Sequence, residues 1–387
     1  MTAWRDARAI ANDLGRETPT RVLRVPVGRA AGLTLAADVR CERPLPPFDN
    51  SAMDGWAVAG DGPWREGDPV LAGSIPPTLP LQPGEARPVA TGAPVPPGTA
   101  TVVRSEHAVR LEDEPLIDAD PAPGPGSHIR RAGEEAAPGD VVLCTGAVLS
   151  PPALGLLAAS GVEQVDVSAP PLVTFVAIGD ELTGSDPTPG RVTDSLTPMM
   201  PSLLAAVGAR CATTARALDR AADVAAAIRR ARTETIITSG GTAHGPADPV
   251  RDALARLEAR VLIDGVNLRP GGSLLLARLP DGRHVLSLPG NPLAAVVALL
   301  VVGWPLVRGR LGRSAPGLEA VSAAMLPEAI PVAGGPDRAI ACVVDGGALA
   351  PVPYQRSGML RGAATATRLA IVSPDGAAVL RLPWAWD

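Results

Sequence analysis

Apolar and polar positions along the chain fall into distinct textures. Residues up to about 15 read as an amphipathic helix, with Ile10 and Leu14 set among alanines. From about 25 to 145 the chain is dense in Pro and Gly, and short runs such as TATVVRSEH and GDVVLC predict small sheets joined by turns. LSPPALGLLAASGVEQVDV, 149–167, predicts a proline-started helix followed by a strand. Between 171 and 312 strands alternate with helices: PLVTFVAIG, MMPSLLAAVGA, ADVAAAIRRAR, TETIITSGG, DPVRDALARLE, HVLSLPGNP and a last apolar helix. That alternation predicts a doubly wound α/β domain, a parallel sheet covered by helices. After about 315, the runs RAIACVVD, RLAIVSP and AAVLRLPW predict a small β-domain. The expected fold class is multidomain α/β plus β. Its expected divisions are an elongated N-terminal and linker region at 1–170, with an inserted β-rich subdomain at about 41–140, then 171–313 and 314–387.

Composition narrows the functional classes. The chain is 46% hydrophobic and 19% charged, which are values of a folded chain. The apolar run 293–307, LAAVVALLVVGWPLV, is too short for a membrane span and is interrupted by Gly303 and Pro305, so it predicts a buried helix. A net charge of -5 without a basic, aromatic-interleaved stripe argues against a nucleic-acid partner. Cys41, Cys144, Cys211 and Cys342 form no CxxC pair, so neither zinc nor a disulfide framework is indicated. Reduced thiols and a polar N-terminus without a signal core predict a cytoplasmic location. All 35 basic residues are arginines, so any chemistry that uses an ammonium must here use guanidinium or backbone donors.

In an open parallel sheet, ligands bind beyond the carboxyl ends of the strands. Three strand-end turns would share that rim. Gly179-Asp180-Glu181-Leu182 carries two adjacent acids; Ser239-Gly240-Gly241 leads through His244 to Asp248; Pro289-Gly290-Asn291-Pro292 opens a helix. Glycines and helix N-termini could cradle phosphate, or the glycines could simply supply positive φ to a tight loop. Glu181 and Asp248 beside such a cradle suit Mg²⁺, although each acid alone is more often a helix cap or a solvated charge. His244 stands alone.

PPFDNSAMDGWAV, ATGAPVPPGTATVV, HIRRAGEE, IGDEL, TSGGTAHGPADP, LRPGG and SLPGNPLAA occur in the order seen in the MoeA family, molybdopterin molybdenumtransferases that include the E domain of gephyrin. FDNSAMDG is the most specific of these runs. The resemblance implies an enzyme that inserts molybdate into adenylylated molybdopterin and releases AMP, with Mg²⁺ assisting, and makes 171–313 the molybdopterin-binding domain. It also implies a homodimer in which FDNSAMDG lines the partner's cleft, and an adenylyltransferase as a possible further partner. Residue by residue, its functional positions fall on Asp54, Thr91, Arg130, Glu181, Asp219, Asp248, Pro289, Pro292 and Ser357, with Glu135 replacing a family aspartate. Arg269, Ser239, Gly240, Gly241, Gly290 and Asn291 complete the expected substrate contacts. The chain also departs from the family. KPGKP appears as Arg269-Pro270-Gly271-Gly272-Ser273, a further family lysine falls on Gly265, and Leu196 stands where asparagine is common. The alternative reading is an impaired relative acting as a molybdopterin-binding scaffold.

Overall fold

The computed structural model describes residues 1–75, 77–111, 116–119, 123–184, 188–242, 248–321, 335–373 and 376–385. Contacts divide the chain into two compact units, one of Met1–Val22 with Ser168–Asp387 and the other of Leu23–Val167.

The first unit begins with helix α1 (Trp4–Glu17) and continues through β1 (Leu172–Ile178), α2 (Leu196–Ala206), β2 (Arg210–Ala217), α3 (Ala221–Arg230), β3 (Thr235–Ser239), α4 (Pro249–Arg256), β4 (Arg260–Asp264), β5 (Leu275–Arg278), β6 (His284–Leu288) and α5 (Pro292–Arg310). The sheet order is β2-β1-β3-β6-β5-β4. β1 pairs in parallel with β2 and β3, and β3 with β6. Strands β1, β3 and β6 are buried almost throughout, which explains their continuous apolar sequence. The expected parallel sheet is corrected at one edge, where β5 runs antiparallel to both β6 and β4. The cause is local: Asp281-Gly282 turns β5 directly into β6, with Gly282 at φ +88°.

Helices cover both faces. Phe175, Ala177 and Ile237 pack with Met200 of α2 and with α5, while Val176, Ile178 and Ile236 pack with Val224 of α3 and Val250 of α4. α5 is apolar and long enough to cross a membrane by length and composition, yet 83% of its most apolar window is buried in this core. α1 also belongs here, although chain order grouped it with 1–170. A Cβ on Gly15 would lie 2.3 Å from the Leu306 carbonyl, and one on Gly309 would lie 2.0 Å from that of Asn12. Those glycines let α1 and α5 touch backbone to backbone, and Asn12 Nδ2 donates to the Pro305 and Arg313 carbonyls.

The C-terminal sheet contains β7 (Glu319–Val321), β8 (Asp337–Asp345), β9 (Ala348–Pro351), β10 (Arg368–Ser373) and β11 (Gly376–Arg381). It is completed by Leu268–Arg269, which pairs in parallel with β8 and sets Arg269 opposite Arg338. This region shares the first unit's core rather than standing alone: Leu369, Ile371 and Leu380 join the same buried cluster as Phe175.

The Leu23–Val167 unit has two parts. Strands Val22–Pro26, Gln164–Ser168 and Thr34–Leu35 pack with the helix Pro151–Ala159 around Leu35, Leu149 and Leu157. Ser150 caps that proline-started helix by accepting from the Ala153 amide. The other part is a six-stranded sheet ordered Thr101–Arg104, Gly55–Val58, Glu85–Val89, Trp64–Glu66, Leu116–Ala119 and Ala108–Arg110.

Candidate functional site

Two neighbouring cavities open at the carboxyl ends of the central strands. One, of about 680 Å³, is lined by Glu181, Ser239, Gly240, Gly241, Gly290 and Pro292. The other, of about 900 Å³, is lined by Arg269, Gly271, Gly272, Arg338 and Ser357. Ser273, Pro289 and Asn291 stand in the walls of both. The expected residues Glu181, Ser239, Gly240, Gly241, Arg269, Pro289, Gly290, Asn291, Pro292 and Ser357 therefore meet along one cleft of the α/β unit, with Leu196 and Gly272, two of the departures from the family pattern, also in its walls.

Backbone proximity shapes this cleft. Gly240 has φ +89° and a Cβ there would lie 2.5 Å from the Ile178 carbonyl, so the glycine both turns the chain and lets it press against β1. Its amide donates to the Leu288 carbonyl, tying the ends of β3 and β6 together. Ser357 accepts from the Ala294 amide in the first turn of α5. Gly272 is closed in: a Cβ would fall 2.3 Å from the carbonyl oxygens of both Leu268 and Val266.

The acids of the rim have different occupations. Glu181 is exposed and lines the smaller cavity, with its carboxylate folded over Gly179. Asp248, by contrast, is a helix cap. Its Oδ1 accepts from the Val250 and Arg251 amides at 3.1 and 3.2 Å, and its Oδ2 lies 2.9 Å from Arg251 Nε. Asp219 is turned toward Asp180: the Asp180 amide donates to Asp219 Oδ2 at 2.9 Å, and the Asp219 amide donates to Asp180 Oδ1 at 3.1 Å. Among the described residues no three His, Cys, Asp or Glu side chains gather to hold a metal. Of the two expected ligands, Asp248 caps α4 and forms an ion pair with Arg251, whereas Glu181 lines the cavity. His244 lies outside the described residues.

Asp54, Thr91, Arg130 and Glu135 lie in the other unit. Asp54 Oδ1 accepts from both the amide and the hydroxyl of Thr91, at 2.6 and 2.9 Å. The Thr91 amide, with the hydroxyl second, holds the Asp54 carboxyl below its ordinary pKa. Asp38 and Thr145 repeat this arrangement at 2.7 and 2.9 Å, so the pairing is a turn clamp that the chain uses twice. Asp49 similarly ties down the following loop, accepting from the Ala132 amide and pairing with Arg131 at 2.7 Å. Arg130 ends the short strand opposite Asn50 and is exposed. Glu135 lines a separate pocket of about 450 Å³ beside Asp140.

The comparisons agree on a family. The MoeA N-terminal region, domains I and II, matches residues 2–161, and a probable molybdopterin-binding domain matches 174–309. Molybdopterin molybdenumtransferase 2 of Mycobacterium tuberculosis is 35% identical over 310 residues, covering 76% of each chain. The chain belongs to the molybdopterin molybdenumtransferase family. The Synechococcus elongatus molybdopterin molybdenumtransferase is 34% identical over 298 residues, 73% of each chain. In fold, the molybdopterin biosynthesis MoeA protein of Pyrococcus horikoshii superposes with a TM-score of 0.79 at 21% identity, over 98% of this chain and 100% of that one. Membership makes the chain a transferase of molybdenum cofactor biosynthesis and gives the scaffold alternative no support.

For a molybdopterin molybdenumtransferase without lysine, the cavity beside Arg269 holds what sequence reading missed. Arg338 lines the same cavity from β8, in register with Arg269, and neither has an ion-pair partner among the described residues. No motif marks Arg338. Only the pairing of Leu268–Arg269 with a strand some 70 residues later brings the two arginines together.

Proposed function

We propose that the protein inserts molybdate into adenylylated molybdopterin and releases AMP, with the smaller cavity taking the phosphate end and the larger taking molybdate. One observation carries this reading: two cavities share Ser273, Pro289 and Asn291, one offering glycine backbone and a carboxylate, the other two guanidiniums without an ion-pair partner among the described residues. Arg269 and Arg338 supply charge-assisted donors to an oxyanion, and planar guanidinium suits that geometry. Ser357 and the backbone near Gly271 add neutral donors. Gly240 and Gly241 let the backbone approach the anhydride, and Glu181 faces it. Mg²⁺ is compatible with this supply, since it needs one or two carboxylates and completes its shell with water and substrate phosphates; Glu181 is its one protein ligand in this proposal. When bound it would neutralise charge on the phosphate oxygens. The chain itself provides no covalent nucleophile in this scheme: it orients the dithiolene end toward the arginines and excludes water through the walls of the cleft.

The finer assignments rest on the resemblance. They are a cytoplasmic homodimer in which Asp54, Thr91, Arg130 and Glu135 of one subunit face the cleft of the other, and an adenylyltransferase that hands over the substrate. Mixed dimers of Asp54→Ala and Glu181→Gln subunits should regain part of the activity that either parent lacks. The decisive test is molybdate-dependent AMP release from adenylylated molybdopterin by the purified protein. Absence of that release sinks the reading.

A further inference from the structure

We propose that Arg216, Asp180 and Asp219 are positioning residues that fix Glu181 to the end of strand β2, so that Asp219 acts by accepting an amide and not by touching metal or substrate. The inference rests on the transferase reading of Glu181. Four hydrogen bonds join the turn after β1 to the last residues of β2 and the turn that follows it. The Gly179 amide donates to the Ala217 carbonyl at 3.3 Å. Asp180 and Asp219 exchange amide-to-carboxylate bonds at 2.9 and 3.1 Å. Arg216 Nη2 donates to the Leu182 carbonyl at 2.6 Å.

Glu181 sits between the two outer ties of this set. Its own carbonyl accepts from the Val192 amide at 2.9 Å, so the backbone on its far side is held as well. A Cβ on Gly179 would fall 2.4 Å from Glu181 Oε2, which means the carboxylate lies directly over that glycine. The place of the carboxylate is therefore set by the turn, and a turn freed from β2 would carry Glu181 away from the cavity wall. The reciprocal Asp180–Asp219 bonds and the Arg216 bond each join a charged side chain to a backbone group, so all three are charge-assisted. Neither Asp219 nor Arg216 lines either cavity.

The proposal separates Asn from Ala at position 219. A carboxamide oxygen still accepts the Asp180 amide, whereas Ala does not. Asp219→Ala should lower kcat for AMP release by about 10- to 100-fold with KM nearly unchanged, the scale expected when a reacting group is displaced by about 1 Å. Asp219→Asn should stay within about threefold of the parent, and Arg216→Ala should fall between them. Amide hydrogen exchange supplies a readout that needs no turnover: the Asp180 amide should be protected in the parent and in Asp219→Asn and exchange freely in Asp219→Ala. An Asn variant as impaired as the Ala variant would make the charge of Asp219 the active ingredient and overturn the proposal, as would continued Asp180 protection in Asp219→Ala. If the parent released no AMP, the transferase reading would fall, while the exchange pattern would still support or overturn the clamp.

Discussion

The turns after β1 and β3 contain the same ingredients, glycine and an acid at the carboxyl end of a buried parallel strand, and put them to opposite use. After β1, Glu181 is followed by the short strand Leu182–Thr183, and helix α2 does not begin until Leu196. No helix start competes for its carboxylate, which remains exposed in the cleft. After β3, Asp248 stands immediately before Pro249, the first residue of α4. There the unpaired amides of the first turn and Arg251 take up the carboxylate. The rim acid with a helix directly behind it caps that helix, and the rim acid without one lines the cleft.

The largest expected effect tests this contrast directly. Glu181→Gln keeps size and hydrogen bonding but removes charge, so AMP release should fall by about 100-fold or more without a change in Tm. Asp248→Asn, which preserves the cap, should reduce the same rate by less than about threefold. Equal losses in the two variants would abolish the distinction between the turns.

At the oxyanion end, Arg269→Ala should raise the molybdate concentration for half-maximal insertion by about 10- to 100-fold, since a charge-assisted hydrogen bond contributes roughly 1.5–3 kcal/mol. Arg338→Ala should act in the same direction by about tenfold, with nucleotide affinity nearly constant in both. Unchanged molybdate dependence in both variants would leave the larger cavity without a role in oxyanion binding.

Stability provides the converse of the Glu181 experiment. Asp248→Ala should cost about 1–2 kcal/mol in urea unfolding, while Asp248→Asn, a competent cap, should remain within a few tenths. An Ala variant as stable as the parent would mean that the cap is not what Asp248 supplies.

The smallest effect belongs to the opposite ends of the same strands. His284 begins β6 fully buried, and burial first, then the Arg310 and Arg278 charges, push its pKa down from 6.5 to about 4. Its neutral form is favoured in the folded chain, so the unfolded state binds more protons as pH falls below 6.5. Between pH 7.5 and 5.5 the protein should lose about 1 kcal/mol of stability, and His284→Gln should flatten that slope. A variant with the parental slope would assign acid sensitivity to other groups.

The rim of the cleft was legible because its signals are local. Apolar runs ending in GDEL, SGG and PGNP mark strand-end turns, and the family motifs fix their order. The Asp248-Pro249 pair was also a readable cap signal, since proline is favoured in a first helical turn. The Asp281-Gly282 hairpin was likewise written in the sequence, as a turn pair between apolar strands. What the sequence could not reveal depends on long-range geometry. The placement of α1 against α5 follows from close approach at Gly15 and Gly309, almost 300 residues apart. The meeting of Arg269 with Arg338 follows from strand pairing across regions that look like separate domains. The Asp180–Asp219 exchange requires two strand ends to lie side by side, and nothing in either sequence segment announces its partner.

Gly272 limits how the arginine-only cleft can be re-engineered. A lysine cannot be introduced at Gly272 by substitution alone, because two carbonyl oxygens occupy the space its Cβ would need. Admitting it requires the Val266–Leu268 backbone to open first. A laboratory attempt to add a cation at this position must therefore move the loop and the side chain together.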